Sequence, residues 1–76
     1  MPKILNLATK EIAEELRSRY GGMMTCQDIM REIGAKHHTA GERWVADIPY
    51  TIVNGRKKWR VSEVARKIYN NTVQPL

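Results

Sequence analysis

The chain has one cysteine, two histidines, and no apolar run longer than a few residues. Each scarcity excludes something. Cys26 has no partner for an intrachain disulfide, and a lone thiol fits a reducing, cytoplasmic setting. Zinc needs three or four ligands at suitable spacing. With one cysteine and the adjacent pair His37-His38, no metal and no cofactor is expected. No stretch approaches the ~20 apolar residues of a membrane helix, so no membrane role is expected. The opening MPKILNLATKE is a broken apolar patch, not the pattern of a secretory signal. Catalytic patterns are missing too. Ser18 and Ser62 have no base beside them, Glu14 and Glu15 are adjacent and diverge on a helix, and there is no glycine-rich phosphate loop. A chain of 76 residues encloses a site poorly, so the reading is one small domain, residues 1–76, that is not an enzyme.

What is present is charge, unevenly placed. The formal net charge is +5. Residues 1–34 hold five cations and five carboxylates, while residues 35–76 hold eight cations against Glu42, Asp47 and Glu63. A neutral half beside a basic half suggests a scaffold carrying a surface for a polyanion.

Residues 4–20 read as a helix. Ile12, Leu16 and Tyr20 recur every four residues, with Leu5 and Ala13 near the same stripe. Thr9 or Asn6 is the expected cap, and Gly21-Gly22 the stop. The stripe reads as core packing or a contact between copies. Thr25-Cys26-Gln27-Asp28 resembles a capping box opening a second short helix with Ile29, Met30 and Ile33 inward, and Gly34 is its stop. Thr39-Ala40-Gly41-Glu42 is a full capping box that would start a third helix near Ala40; the alternative start is Lys36. Ala40, Trp44 and Val45 form its expected inner side. Pro49 ends what precedes it. Ser62 is the expected cap of a last helix, 62–70, with Val64, Ala65, Ile68 and Tyr69 inward and Arg66 and Lys67 outward.

Between them, TIVNGRKKWRV reads as a β-hairpin. Asn-Gly is the strongest short-range signal for a two-residue type I′ turn. Alternation puts Ile48, Tyr50, Ile52, Lys57, Trp59 and Val61 on a core face, and Thr51, Val53, Arg56, Lys58 and Arg60 on the other. Three cations in a row with no acid among them cost sheet stability, which points to phosphate contact. The alternative is a solvated edge strand whose lysines block unwanted pairing.

A helix, a glycine-marked turn, a second helix and a basic hairpin, in that order, resemble the winged helix-turn-helix DNA-binding domains of phage and transposon excisionases and of the mercury-resistance-regulator (MerR-like) group. Thr25, Asp28, Ile29-Met30, Ile33, Gly34, Thr39, Trp44, Pro49, Gly55-Arg56 and Ser62-Glu63-Val64 carry the resemblance, over residues 24–69. It implies a mainly α fold with a β-hairpin: a helix-turn-helix over 24–46, a wing over 48–61, and an extra N-terminal helix. It also implies sequence-specific binding of double-stranded DNA, for recombination directionality or transcription control in a phage or mobile element. The segment Lys36–Arg43 would then enter the major groove, and Asn54–Lys58 would follow the backbone or minor groove. The expected nucleic-acid-binding residues are Lys36, His37, His38, Thr39, Arg43, Asn54, Gly55, Arg56, Lys57, Lys58 and Arg60. Arg43 is the expected base-reader, with an ion pair to Asp47 as its alternative. The histidines touch backbone or base edges, or are solvated turn residues. Expected partners are duplex DNA, further copies on it by way of the N-terminal helix, and a recombinase or other regulatory protein. The competing function is a protein-interaction module on the same fold, docking an acidic partner.

Overall fold

A computed structural model describes residues 7–72. Four helices and three short strands follow the order α1 (Leu7–Tyr20), β1 (Met23–Met24), α2 (Cys26–Ile33), α3 (His38–Val45), β2 (Thr51–Val53), β3 (Arg56–Arg60) and α4 (Val61–Asn70). The fold is mainly helical with a three-stranded antiparallel sheet of order β1-β3-β2.

α1 packs along α4, burying Ala13 and Leu16, with Ile12 and Tyr20 against the same core. Residues 4–6 of the expected helix, Leu5 and Asn6 among them, lie outside the described residues. Thr9 is not a cap: it lies inside the helix and is buried. Gly21, at φ +84°, closes the helix with its N–H on the Arg17 carbonyl at 2.9 Å. α2 has the expected box. Thr25 Oγ1 accepts from the Asp28 amide and Asp28 Oδ2 from the Thr25 amide, both at 3.1 Å. Gly34 ends it at φ +74°. Ile29 is fully buried.

α3 departs from expectation. It starts at His38, so Thr39 sits in the first turn and its capping box does not form; His37 is the N-cap, with no side-chain hydrogen bond. Gly41 faces α2, where a Cβ would lie 2.4 Å from Met30 Cγ. The amides of Ala40 and Gly41 both donate to the His37 carbonyl. The inner side is Gly41 and Val45, with Trp44 partly buried against the core as expected, and Ala40 is exposed.

The hairpin has the expected register, Val53 opposite Arg56, Ile52 opposite Lys57 and Thr51 opposite Lys58. Asn54 (φ +52°) and Gly55 (φ +77°) supply the two left-handed residues of its turn. Sequence periodicity gave no sign of β1, which is two residues long. It pairs Met24 with Trp59 and Met23 with Arg60. β3 thus pairs with β2 at Arg56–Lys58 and with β1 at Trp59 and Arg60.

The expected core face is only half a core face. Ile48, Trp59 and Val61 are buried, but Tyr50 and Ile52 are 52 % and 57 % exposed. α3 ends at Val45, and the distal half of the hairpin extends past the packed layer. β3 also runs into α4 with no loop. The Val61 amide donates to the Gly22 carbonyl, so the N-cap falls on Arg60 and Ser62 lies within the first turn. Arg66 and Lys67 are half-buried rather than outward. Leu16, Met24, Ile29, Val61 and Val64 are the most deeply buried large side chains. No helix of the described residues is long and apolar enough to cross a membrane.

Candidate nucleic-acid interface

The hairpin carries cations on both faces because its sequence alternates unevenly. Lys57 shares a face with Tyr50 and Trp59; Lys58 and Arg60 lie on the other. Lys57 Nζ sits 4.7 Å above the Tyr50 ring, and that ring meets Trp59 at 6.2 Å between centroids, tilted by 57°. The stack fixes the base of the tongue and holds one ammonium over it. Among the described residues the buried Trp59 indole N–H has no hydrogen-bond partner.

Between α3 and the hairpin runs an open groove of about 510 Å³. His38, Glu42 and Val45 line its helical wall; Tyr50, Arg56 and Lys57 line its strand wall. It brings His38, Arg56 and Lys57 together. Lys36, His37, Thr39 and Arg43 are exposed on the α2–α3 connection and on α3, outside this groove. Lys58 and Arg60 project from the face opposite the groove. Asn54 and Gly55 form the exposed tip. The expected residues therefore occupy four places: the α2–α3 connection with the outer side of α3, the groove, the hairpin tip, and the far face of the hairpin.

Ion pairing separates this region from α2 and α4. Arg19 pairs with Glu15 and Glu32, Arg31 with Asp28, Arg66 with Glu63, and Lys67 with Asp47. Among the described residues, none of Lys36, Arg43, Arg56, Lys57, Lys58 or Arg60 forms an ion pair. The Arg43–Asp47 pair weighed from the sequence does not form, because Lys67 occupies Asp47 at 2.6 Å. Lys67 also donates to the Trp44 carbonyl and lies 4.7 Å from the Trp44 ring.

Glu42, freed from its expected capping role, lines the groove near Cys26. Burial first, and the Glu42 charge second, push the Cys26 thiol above its ordinary pKa, so it is a poor nucleophile. Among the described residues no three His, Cys, Asp or Glu side chains converge as metal ligands. Arg17 escaped sequence reasoning: it shares a cleft with Arg60 and Thr51, reached only because β1 carries Gly22 and Met23 alongside β3.

No family model, curated protein or solved structure matches the chain.

Proposed function

We propose that the protein is a winged helix-turn-helix, with α2 and α3 as the two helices and the β2–β3 hairpin as the wing, and that it binds double-stranded DNA sequence-specifically. One observation carries this reading: the cations of α3 and the hairpin are unpaired, whereas acids elsewhere neutralise those of α2 and α4. Unpaired clustered charge is costly unless a polyanion meets it. α3 enters the major groove with Arg43 toward the base edges. The wing, cationic on both faces, suits a groove flanked by phosphates on both sides. Lys36, His37, His38 and Thr39 serve the near backbone. The role that fits is an excisionase-like recombination directionality factor or a small regulator of a mobile element. A module this small binds tightly only as several copies on repeated sites. The apolar stripe of α1 is spent on α4, which leaves its charged outer side, Glu11, Glu14 and Glu15, for neighbours.

A second reading rests on Tyr50 and Ile52, exposed apolar side chains bordered by cations: a protein module docking an acidic partner. A salt titration of duplex binding separates the two. Contact through five to seven cations gives a log–log slope of about −5. The double variant Arg56→Glu with Lys58→Glu keeps its melting temperature and loses about 100-fold or more in affinity. Unchanged affinity removes the wing from the interface, and no binding to any duplex at low salt leaves the protein-docking reading.

A further inference from the structure

Of the residues lining the cleft between α1 and β3, only Arg60 is among the expected nucleic-acid-binding residues. It measures about 310 Å³ and is lined by Arg17, Gly22, Met23, Thr51, Arg60 and Ser62. Two guanidinium groups share it with two hydroxyls, and no carboxylate lines it. Neither arginine forms an ion pair among the described residues, although Arg19, two positions along α1, is paired twice. The cleft also sits at the start of α4, whose ten aligned residues direct positive potential there. Glu63, the acid of that first turn, is held by Arg66 at 2.7 Å and lines a different cleft. Two like charges facing one opening repel each other until an anion sits between them.

We propose that this cleft is a phosphate-binding subsite in which Arg17 and Arg60 close on one phosphate, with Thr51 and Ser62 as hydroxyl donors. The proposal rests on the DNA-binding reading for its natural ligand, a phosphodiester of the duplex backbone. Lys58 and Arg60 stand two residues apart on the strand face opposite the groove, a step of about 6.6–6.8 Å. That step is comparable to the spacing of successive phosphates on one strand. Arg17 shares the cleft with Arg60, so α1 becomes part of the footprint rather than scaffold alone.

Two measurements test this. In the first, duplex binding is titrated with salt for the wild type, Arg17→Gln and Lys10→Gln. Both variants lose one exposed charge from the same helix, and circular dichroism checks that each folds. Arg17→Gln is expected to weaken binding about fivefold and to flatten the log–log slope by about 1, with Lys10→Gln near the wild type. Equal losses in the two variants reduce the effect to overall charge and overturn the subsite. In the second, inorganic phosphate is titrated while the arginine side-chain resonances are followed by NMR. Shifts at Arg17 and Arg60, absent in Arg17→Gln, support the subsite even if no duplex binds, in which case the DNA reading fails alone. Duplex binding by the wild type that Arg17→Gln leaves intact overturns the subsite and spares the DNA reading.

Discussion

α2 and α3 are both eight residues long and pack against each other, yet their ends are finished in opposite ways. α2 has a reciprocal capping box at its start, a left-handed glycine at its end, and its one basic residue paired within the helix. α3 has a histidine N-cap that makes no side-chain bond, an ordinary right-handed alanine at its C-cap, and an unpaired arginine. Eight residues are too few for a helix to stand alone, so α3 depends on what it leans on. Its exposed groups are released from structural duty. α2 reads as the support and α3 as the presented element.

The firmest way to break that contrast is at the contact between them. A Cβ on Gly41 would fall 2.4 Å from Met30 Cγ and 2.9 Å from Met30 Sδ. Gly41→Ala gains about 1 kcal/mol of helix propensity, but the overlap costs more. A net loss of about 2 kcal/mol is expected in denaturant unfolding. In a Met30→Ala background the same change should become stabilising, because the atoms in the way are gone and the propensity remains. A loss of the same size in both backgrounds would mean that the closeness of the two helices is not what demands glycine.

Gly41 also shows where the sequence was legible and where it was not. Caps and turns written in consecutive residues were readable: Thr25 with Asp28, Gly34, and Asn54-Gly55 all act as their local chemistry dictates. Thr39 with Glu42 has the same local signature and fails, because the first turn closes on the His37 carbonyl and leaves Thr39 inside the helix. Ser62 fails for a similar reason, since the strand pairing of Arg60 with Met23 runs directly into α4. A two-residue strand has no period to detect, so Met24 opposite Trp59 was not foreseeable. The cleft of Arg17 with Arg60 depends on that strand. Alternation put Ile52 on an apolar face correctly, but it gave no length for the layer covering that face. Hence Ile52 is exposed where burial was expected. For the candidate interface, composition and order exposed the basic hairpin, while its division into groove and far face needed the third dimension.

A smaller effect sharpens the same contrast from the N-termini. Thr25→Ala should cost about 1 kcal/mol, since the Oγ1 that accepts from the Asp28 amide is lost while the backbone amide of residue 25 keeps its bond to Asp28 Oδ2. His37→Asn, which supplies the missing cap of α3, should stabilise by about 0.5–1 kcal/mol. If His37 serves the DNA backbone, the stabilised variant binds a duplex more weakly than the wild type. Stability and binding rising together would instead mean that α3 was left uncapped for no functional reason.

The smallest effect concerns the C-terminal end of α3, which is held from outside. Lys67 of α4 donates to the Trp44 carbonyl, lies over the Trp44 ring, and bonds Asp47 Oδ1 at 2.6 Å. A cation there also suits the negative end of the helix dipole. The hydrogen bond from Lys67 holds the Asp47 carboxyl below its ordinary pKa, against an opposing effect of burial and with lesser help from the Lys67 charge. A carboxylate with a lowered folded-state pKa contributes stability that is complete above its unfolded value, about pH 4, and fades as pH falls through the folded value. The difference in melting temperature between wild type and Asp47→Asn should therefore be constant from neutral pH down to about pH 5 and shrink below it. Asp47 is exposed, so water screens the pair and the difference is slight even at neutral pH. Lys67→Met should cost more than Asp47→Asn at every pH, because it also removes the donor to the Trp44 carbonyl and the charge over the ring. If the two variants melt alike, the carboxylate alone carries the anchor and α3 is not pinned through its own backbone.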